Sequence, residues 1–281
     1  MSVNAKFHCP EDKTVKNDFT EVESFLFTDY SIDLHTHDFY EMNIVMRGEG
    51  THKIENASFR VRTGDVFVIP PMTVHGYFDT RDLDVYHILF RKSFIEKNRA
   101  EASSVLGFIQ LFEIEPFLRR RFPDAMFLHL LPGELMKLRS DLSVIERDSE
   151  FYGKEYGAIR RHTAWKLVYH LSHLLNKQLY GEGRKKGKHD GAILSCLEYI
   201  HRNYAEKITL DTLCMVSFLS RSTLIRAFQS ICSCTPSQYL NQYRCGRALE
   251  IMRSTSMSKT EIAHECGFYD LSHIERMLKK I

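Results

Sequence analysis

Between residues 208 and 280 the same pattern of short apolar segments is written twice, and that repetition restricts the fold more than any other feature of the chain. The first copy is ITLDTLCMVSFLSRSTLIRAFQS, residues 208–230. Thr209 and Ser220 are natural N-caps, because a side-chain oxygen can accept from the N–H groups that the first helical turn leaves unbonded. They predict a short helix over about residues 210–216, a brief turn, and a second helix burying Leu224, Phe228 and Ile231. The second copy is TEIAHECGFYDLSHIERMLKK, residues 260–280, with Ile262 and Ala263 where the first has Leu213 and Cys214. Gly267 suits a left-handed turn and Asp270 can cap the next helix. With one inserted residue, Ser222, Leu224, Arg226 and Phe228 correspond to Ser272, Ile274, Arg276 and Leu278. Two short helices about a tight turn make a helix-turn-helix, here predicted twice.

The segment between the copies, TPSQYLNQYRCGRALEIMRS, predicts one long helix opened by Pro236 and burying Tyr239, Leu240, Tyr243, Ala248, Leu249 and Met252. Ahead of the first copy, Ile193, Leu197, Ile200 and Tyr204 mark the face of another helix, with Asp190 near its start. A lone arginine on a helix is usually solvated. An arginine at the same place on both second helices is the residue type suited to guanine edges or phosphates. The charge agrees. Residues 181–281 carry 15 Lys and Arg against 10 Asp and Glu, whereas residues 1–180 carry 23 against 26. A basic C-terminal third favours an anionic partner there. A rigid spacer would let two reading helices enter successive major grooves, about 34 Å apart.

From Ala192 onward the chain resembles the DNA-binding domain of the AraC/XylS family of bacterial transcription regulators, through LSRSTLIRAFQS, TPSQYLNQYR, RALEIM and IAHECGFYDLSHIERMLKK. The resemblance implies that Ser222, Ile225 and Arg226 face one major groove and that Leu271, Ser272, Glu275 and Arg276 face the next. Two departures accompany it. Leu278 stands where the family usually has phenylalanine, and relatives usually continue past the position of Ile281 through another Pro-x-x-Tyr turn and a last short helix. The second unit is therefore expected to be truncated.

Up to about residue 95 the pattern changes to short β-rich runs separated by turn signals at Gly48/Gly50, Glu55-Asn56, Gly64-Asp65 and Pro70-Pro71, with DVYHILF as one more strand. Regular spacing of this kind predicts an antiparallel sandwich or small barrel. Within it, HTHDFYE places His35, His37 and Glu41 at positions of one parity, which a continuous strand would project to one face. Such a trio can hold a metal, line a polar pocket, or belong to a packed strand. His35, His37, Glu41 and Gly48 match the first motif of the cupin barrel. Gly64, Pro70 and His75 match its second, with Met72 replacing a usual glycine and Asp79 a usual asparagine. The cupin resemblance brings His75 in from a neighbouring strand. Three imidazoles and a carboxylate suit Zn²⁺, Fe²⁺, Mn²⁺ or Ni²⁺, and they also hydrogen-bond sugar hydroxyls. Effector binding by His35, His37, Glu41 and His75 is the first expectation, with no cofactor required. A divalent metal on the same four residues and buried structural histidines stay open as alternatives.

From about residue 94 the pattern turns helical. Pro132 opens one helix with Leu135, Leu138, Leu142 and Ile145 on its face. A second, AIRRHTAWKLVYHLSHLLNKQLY, carries a stripe of Ala164, Trp165, Val168, Leu171, Leu175 and Leu179. This stripe can pack on the chain's own sheet or form a dimer contact over residues 135–179. GEGRKKGKHDG, residues 181–191, has the composition of a flexible linker. The expected fold class is α+β: a cupin-like effector-binding and dimerisation domain over 1–180, a linker over 181–191, and an all-α DNA-binding domain over 192–281.

No apolar run approaches the roughly 20 residues that span a bilayer, and no basic start followed by an apolar stretch suggests secretion. The seven cysteines form no CxxC pair, and six of them lie at or after Cys196. Reduced thiols in a cytoplasmic protein are expected. Taken whole, the chain is most similar to the rhamnose-operon activators of the AraC/XylS family. That similarity implies a sugar-responsive transcription factor, a homodimer, with promoter DNA as partner and RNA polymerase as well if it activates. The competing reading is a metal-dependent cupin isomerase or dioxygenase with an accessory helical domain, which leaves the repeated helix-turn-helix without a role.

Overall fold

Two long strands organise the N-terminal half in the computed structural model, which describes residues 21–55, 57–105, 107–119, 128–146, 156–180, 189–232, 234–269, 272 and 274. Contacts divide the chain into two units, Met1–Gln178 and Leu179–Ile281. In the first unit β1 (Val22–Phe27), β2 (Ile32–His35), β3 (Tyr40–Ile54), β4 (Ala57–Arg62), β5 (Asp65–Ile69), β6 (His75–Phe90) and β7 (Leu128–His129) form one antiparallel sheet. β3 and β6 pair along nearly their whole length. β1 and β2 pair with opposite ends of β6, and β4 and β5 with opposite ends of β3. Side chains from β1, β3, β4, β5 and β6 meet in one apolar cluster, Phe27, Val45, Phe59, Phe67 and Val85 among them, so the sheet curls around its inner face.

The turn expected at Gly48/Gly50 is absent. β3 runs straight through it, just as β6 absorbs both the run beginning at His75 and DVYHILF. Gly48 instead sits in a bulge, where the β3–β6 register shifts three times between Val45 and Thr51. An extra residue on one strand of a pair flips which side chains face inward. Glu41, Asn43 and Val45 point in ahead of the bulge, and His52 and Ile54 after it. Met72 and Asp79, which replace a usual glycine and asparagine, both take left-handed backbone, with φ of 61° and 50°. Left-handed backbone favours Gly because it has no Cβ, and Asn or Asp because a short polar side chain can hydrogen-bond locally.

Beyond β6 come α1 (Lys92–Ala102), a π-helical turn at Gln110–Ile114, α2 (Glu115–Arg119), α3 (Pro132–Glu146) and α4 (Tyr156–Tyr180). The expected apolar faces of α3 and α4 are buried, apart from Trp165, which is half-buried and stacks on Phe94 at 5.2 Å. Within a single chain Val168 and Leu171 are 0% exposed. The stripe on α4 is therefore satisfied by the chain's own packing, and a dimer contact would have to use other side chains. Leu171→Ala is expected to cost about 2–5 kcal/mol, the usual result of emptying a filled core position. Urea unfolding measures it. A surface contact residue would instead change sedimentation while leaving the midpoint in place.

The second unit contains α5 (Asp190–Asn203), α6 (Leu210–Ser217), α7 (Arg221–Cys232), α8 (Pro236–Ser254) and α9 (Lys259–Glu265). Thr209 caps α6 by accepting from Thr212 N, and Ser220 accepts from Thr223 N at the start of α7. Thr235 with Gln238 and Ser258 with Glu261 form reciprocal capping boxes on α8 and α9. Leu224 and Phe228 are buried as expected, but Ile231 is only half-buried, and Ala227 and Cys232 fill the core in its place. Tyr204, Leu249 and Met252 are likewise half-buried. Around the second copy Cys245, Ala248, Ile262, Ala263, Cys266, Phe268 and Ile274 form a separate small core. Asp270 and Leu278 lie outside the described residues.

Phe218 and Gly267 occupy equivalent turns in the two copies, and both are left-handed, with φ of 56° and 73°. A Cβ on Gly267 would lie 2.5 Å from the Ala205 carbonyl oxygen, so glycine is required there. Phe218 bears the left-handed strain while 94% exposed. Phe218→Gly should therefore stabilise the helical unit by about 1 kcal/mol, the scale of left-handed strain in an ordinary residue. A lower melting temperature would show that the phenyl ring contributes packing after all.

Candidate functional site

HTHDFYE does not form one strand. His35 ends β2, residues 36–39 break the pairing, and Glu41 is the second residue of β3. The break nevertheless keeps the trio together, because the Met72 amide donates to the His37 carbonyl at 2.7 Å. His75, first residue of β6, is the register partner of His35. The His75 ring lies 4.2 Å from that of His35 and 5.0 Å from that of His37, between centroids. His37 Nε2 is 3.0 Å from Glu41 Oε2, and His75 Nε2 is 3.9 Å from the same oxygen. One ligand atom each from His35, Glu41 and His75 lie within 4.8 Å of one another. All four expected residues are thus in one buried cluster.

Four further residues that the sequence reading passed over share this interior. His87 Nδ1 donates to Glu41 Oε1 at 2.8 Å. Asn43 pairs with His87 across β3 and β6, and His52 pairs with Tyr77, their rings stacked at 4.6 Å. His75, Tyr77 and His87 share parity on β6, a signal that could have exposed the last two. His52 could not be found this way, since the Gly48 bulge reverses its parity relative to Glu41. Both side-chain polar atoms of Asn43, both ring nitrogens of His52, His75 Nε2, the Tyr77 hydroxyl and His87 Nε2 are buried with no hydrogen-bond partner among the described residues. Each such group costs about 1–3 kcal/mol if nothing meets it.

Burial sets the charge states. It pushes the His35 pKa below the usual imidazole range and those of His52 and His75 well below it, so these rings stand neutral, the form that accepts hydrogen bonds or binds cations. Burial alone would raise Glu41, but the charge interaction with His87 and the hydrogen bond from His37 outweigh it and hold the carboxyl well below its ordinary range. Burial also raises Tyr77, which therefore remains a phenol able to donate. Neutral imidazoles, an anionic carboxylate, an amide and a phenol offer both donors and acceptors. Phe27, Tyr30 and Phe67 supply apolar faces beside them.

The second candidate surface lies on α7. Ser222 and Arg226 are exposed and Ile225 is half-buried, at the spacing that shares one helix face. Gln229, one turn further, is also exposed. Arg221 is held by Asp211 at 2.6 and 2.7 Å and is not available in the same way. Arg226 borders a groove with His189, Asp190, Thr223 and Ser230. From the second copy Ser272 is exposed, whereas Leu271, Glu275 and Arg276 lie outside the described residues. Buried Arg244 serves structure, donating to the carbonyls of Tyr204 and Glu206 at 2.7 Å each.

Two family models match the chain: an AraC-like ligand binding domain over residues 21–137 and a helix-turn-helix domain over residues 213–281. The HTH-type transcriptional activator RhaS of Enterobacter sp. (strain 638) is 26% identical over 247 residues, covering 88% of this chain and 83% of that protein. The activator of the same name from Pectobacterium carotovorum subsp. carotovorum (strain PC1) is 24% identical, with the same coverage. Among solved structures, an apo variant of ToxT from Vibrio cholerae strain SCE256 covers 94% of this chain and 95% of its own at 13% identity, with a TM-score of 0.38. No described helix is long and apolar enough to cross a membrane.

Proposed function

Since the chain is of the AraC type, an AraC-like ligand-binding domain joined to a helix-turn-helix domain and homologous to RhaS activators, we propose that it is a transcription regulator whose curled sheet binds a small polyhydroxylated effector and whose helical unit binds promoter DNA. The observation carrying this reading is the set of buried polar atoms inside the sheet that have no hydrogen-bond partner among the described residues, next to aromatic faces. A sugar presents hydroxyls to such atoms and C–H faces to such rings. His35, His37, Glu41 and His75 contribute to the effector site together with Asn43, His52, Tyr77 and His87, which interleave with them: His87 bonds Glu41 and His52 lies 5.8 Å from His75 between ring centroids. The functional division is residues 1–180 for effector binding, 181–191 as linker and 192–281 for DNA.

On the DNA side, Ser222, Ile225 and Arg226 would enter one major groove, with Leu271, Ser272, Glu275 and Arg276 in the next. Arg226→Ala should weaken specific binding by about 1–3 kcal/mol and relax preference at one base position. A binding profile identical to wild type across a mutated operator series would rule Arg226 out as a reader. The named activity of the relatives supports RNA polymerase as a further partner. A homodimer would use the exposed apolar side chains left on α3 and α4, Met136 and Ile159. The enzyme reading gives way to this one because a helix-turn-helix has no part in isomerase or dioxygenase chemistry, and the relatives are named as activators. A thermal-shift screen of the full chain against monosaccharides tests the effector claim, since a ligand that binds only the folded state raises its melting temperature. A panel with no stabilising sugar would overturn that class of effector.

A further inference from the structure

We propose that Asp211 and Asp190 are specificity-determining residues of the DNA-binding unit, each set against one arginine of α7 so that neither arginine gains net attraction from a DNA phosphate. The inference deepens the DNA-reading proposal above and rests on it.

The helix α7, RSTLIRAFQSIC, carries two cations, Arg221 and Arg226, and no acid of its own. Its carboxylates come from neighbouring helices. Asp211, in the first turn of α6, accepts from Nε of Arg221 at 2.7 Å and from Nη2 at 2.6 Å. Two donors of the guanidinium fork thus meet the two oxygens of one carboxylate. Asp190, the first residue of α5, lines the same groove as Arg226, together with Thr223 and Ser230. The groove holds about 290 Å³, ample for a phosphate group, whose volume is that of a few water molecules at about 30 Å³ each.

Attraction to a duplex of any sequence comes from neutralised phosphates, each of which releases condensed counterions. A phosphate that takes Arg221 must displace Asp211, so one anion is exchanged for another. The displaced carboxylate is left bare beside the backbone, and no net charge is neutralised. At Arg226, a phosphate entering the groove meets the Asp190 carboxylate along with the guanidinium. A guanine edge is different. It is uncharged and offers O6 and N7 to the arginine fork, so the neighbouring carboxylate opposes it far less. The two acids therefore penalise the phosphates, which every sequence has, and spare the base edge, which only the right sequence has. Both acids also stand in the first turns of their helices, where a negative charge stabilises the helix. Loss of that role alone can only weaken DNA binding.

The test is fluorescence anisotropy of the full chain with random-sequence duplex and with promoter DNA selected by wild type, between about 50 and 200 mM salt. Asp211→Asn and Asp190→Asn should each bind random duplex more tightly than wild type, with the slope of log affinity against log salt steeper by about 0.9. The gain should accordingly be about 3-fold larger at the low-salt end than at the high-salt end. For Asp190→Asn the random duplex should gain more than the promoter, where Arg226 already sits on a base, so the preference for promoter falls. The double variant Asp211→Asn/Arg221→Gln removes both charges of the pair and should return to the wild-type slope. An unchanged or shallower slope in a single variant with native circular dichroism overturns the role of that acid. A double variant with a slope shallower than wild type by about 0.9 overturns the role of Asp211 even if the single variant misfolds, since Arg221 would then bind phosphate in its presence. Wild type that binds promoter and random duplex equally removes the DNA-reading proposal itself.

Discussion

Gly48→Val is expected to destroy the curled sheet while leaving the helical unit folded. Gly48 has φ of 77°, in the region that L side chains rarely adopt. A Cβ there would lie 2.2 Å from the Asp82 carbonyl oxygen and 2.3 Å from that of Arg81, both backbone atoms of the paired strand β6. Neither can swing aside as the end of a flexible side chain could. Relief requires opening the β3–β6 ladder at the bulge that turns His52 inward, so the site is lost with the strand pairing. The cost is about 3 kcal/mol or more against a total stability of about 5–15 kcal/mol for an ordinary domain. Urea unfolding should show the sheet's transition shifted strongly or absent and the helical transition retained. Unchanged unfolding would mean that the bulge does not bear the structure assigned to it.

Glu41→Gln should separate folding from response. The amide keeps the volume of a fully buried side chain, so packing changes little. It removes the negative charge that His37, His75 and His87 all face within 3.9 Å. The amide nitrogen replaces either the oxygen that accepts from His87 or the one that faces both His37 and His75, and each polar group left mispaired by the exchange costs about 1–3 kcal/mol. Effector affinity should therefore fall by about 10-fold to more than 100-fold, enough to abolish the effect on transcription, with effector-independent DNA binding intact. Isothermal titration of the variant with the effector measures the first part and fluorescence anisotropy with promoter DNA the second. Equal effector affinity in the two proteins would remove Glu41 from the site.

The helical unit was legible because its signals are local. Thr209, Ser220, Pro236 and Gly267 each act through their own backbone, so caps and turns could be placed from sequence alone. Burial was less legible at helix ends. Ile231, Leu249 and Met252 keep the period of a buried face but stand half-exposed, because periodicity gives direction and not depth. In the sheet, Gly48 and Gly50 carry the composition of a turn, and only the long-range pairing of β3 with β6 shows that the chain continues through a bulge. The same pairing decides which half of the site could be found. His35, His37, Glu41 and His75 lie in short recognisable motifs, and the expected cluster forms even though His37 sits in a strand break. His87 and Tyr77 are isolated polar residues in apolar strands. His52 is separated from Glu41 by a parity reversal that no local rule contains. The helix stripe from Ala164 to Leu179 was ambiguous for a related reason, since a face that packs on its own sheet and one that packs on a partner have the same sequence pattern.

The central claim is that a ligand inside the curled sheet governs what the helical unit does on DNA. Its most direct test is transcription in vitro from a promoter selected by the full chain, with and without the effector, in wild type and in Glu41→Gln. The account predicts an effector-dependent change in transcript for wild type and none for Glu41→Gln, with both proteins occupying the promoter when effector is absent. Equal response in the two proteins, or consumption of the effector into a product by wild type, would contradict it.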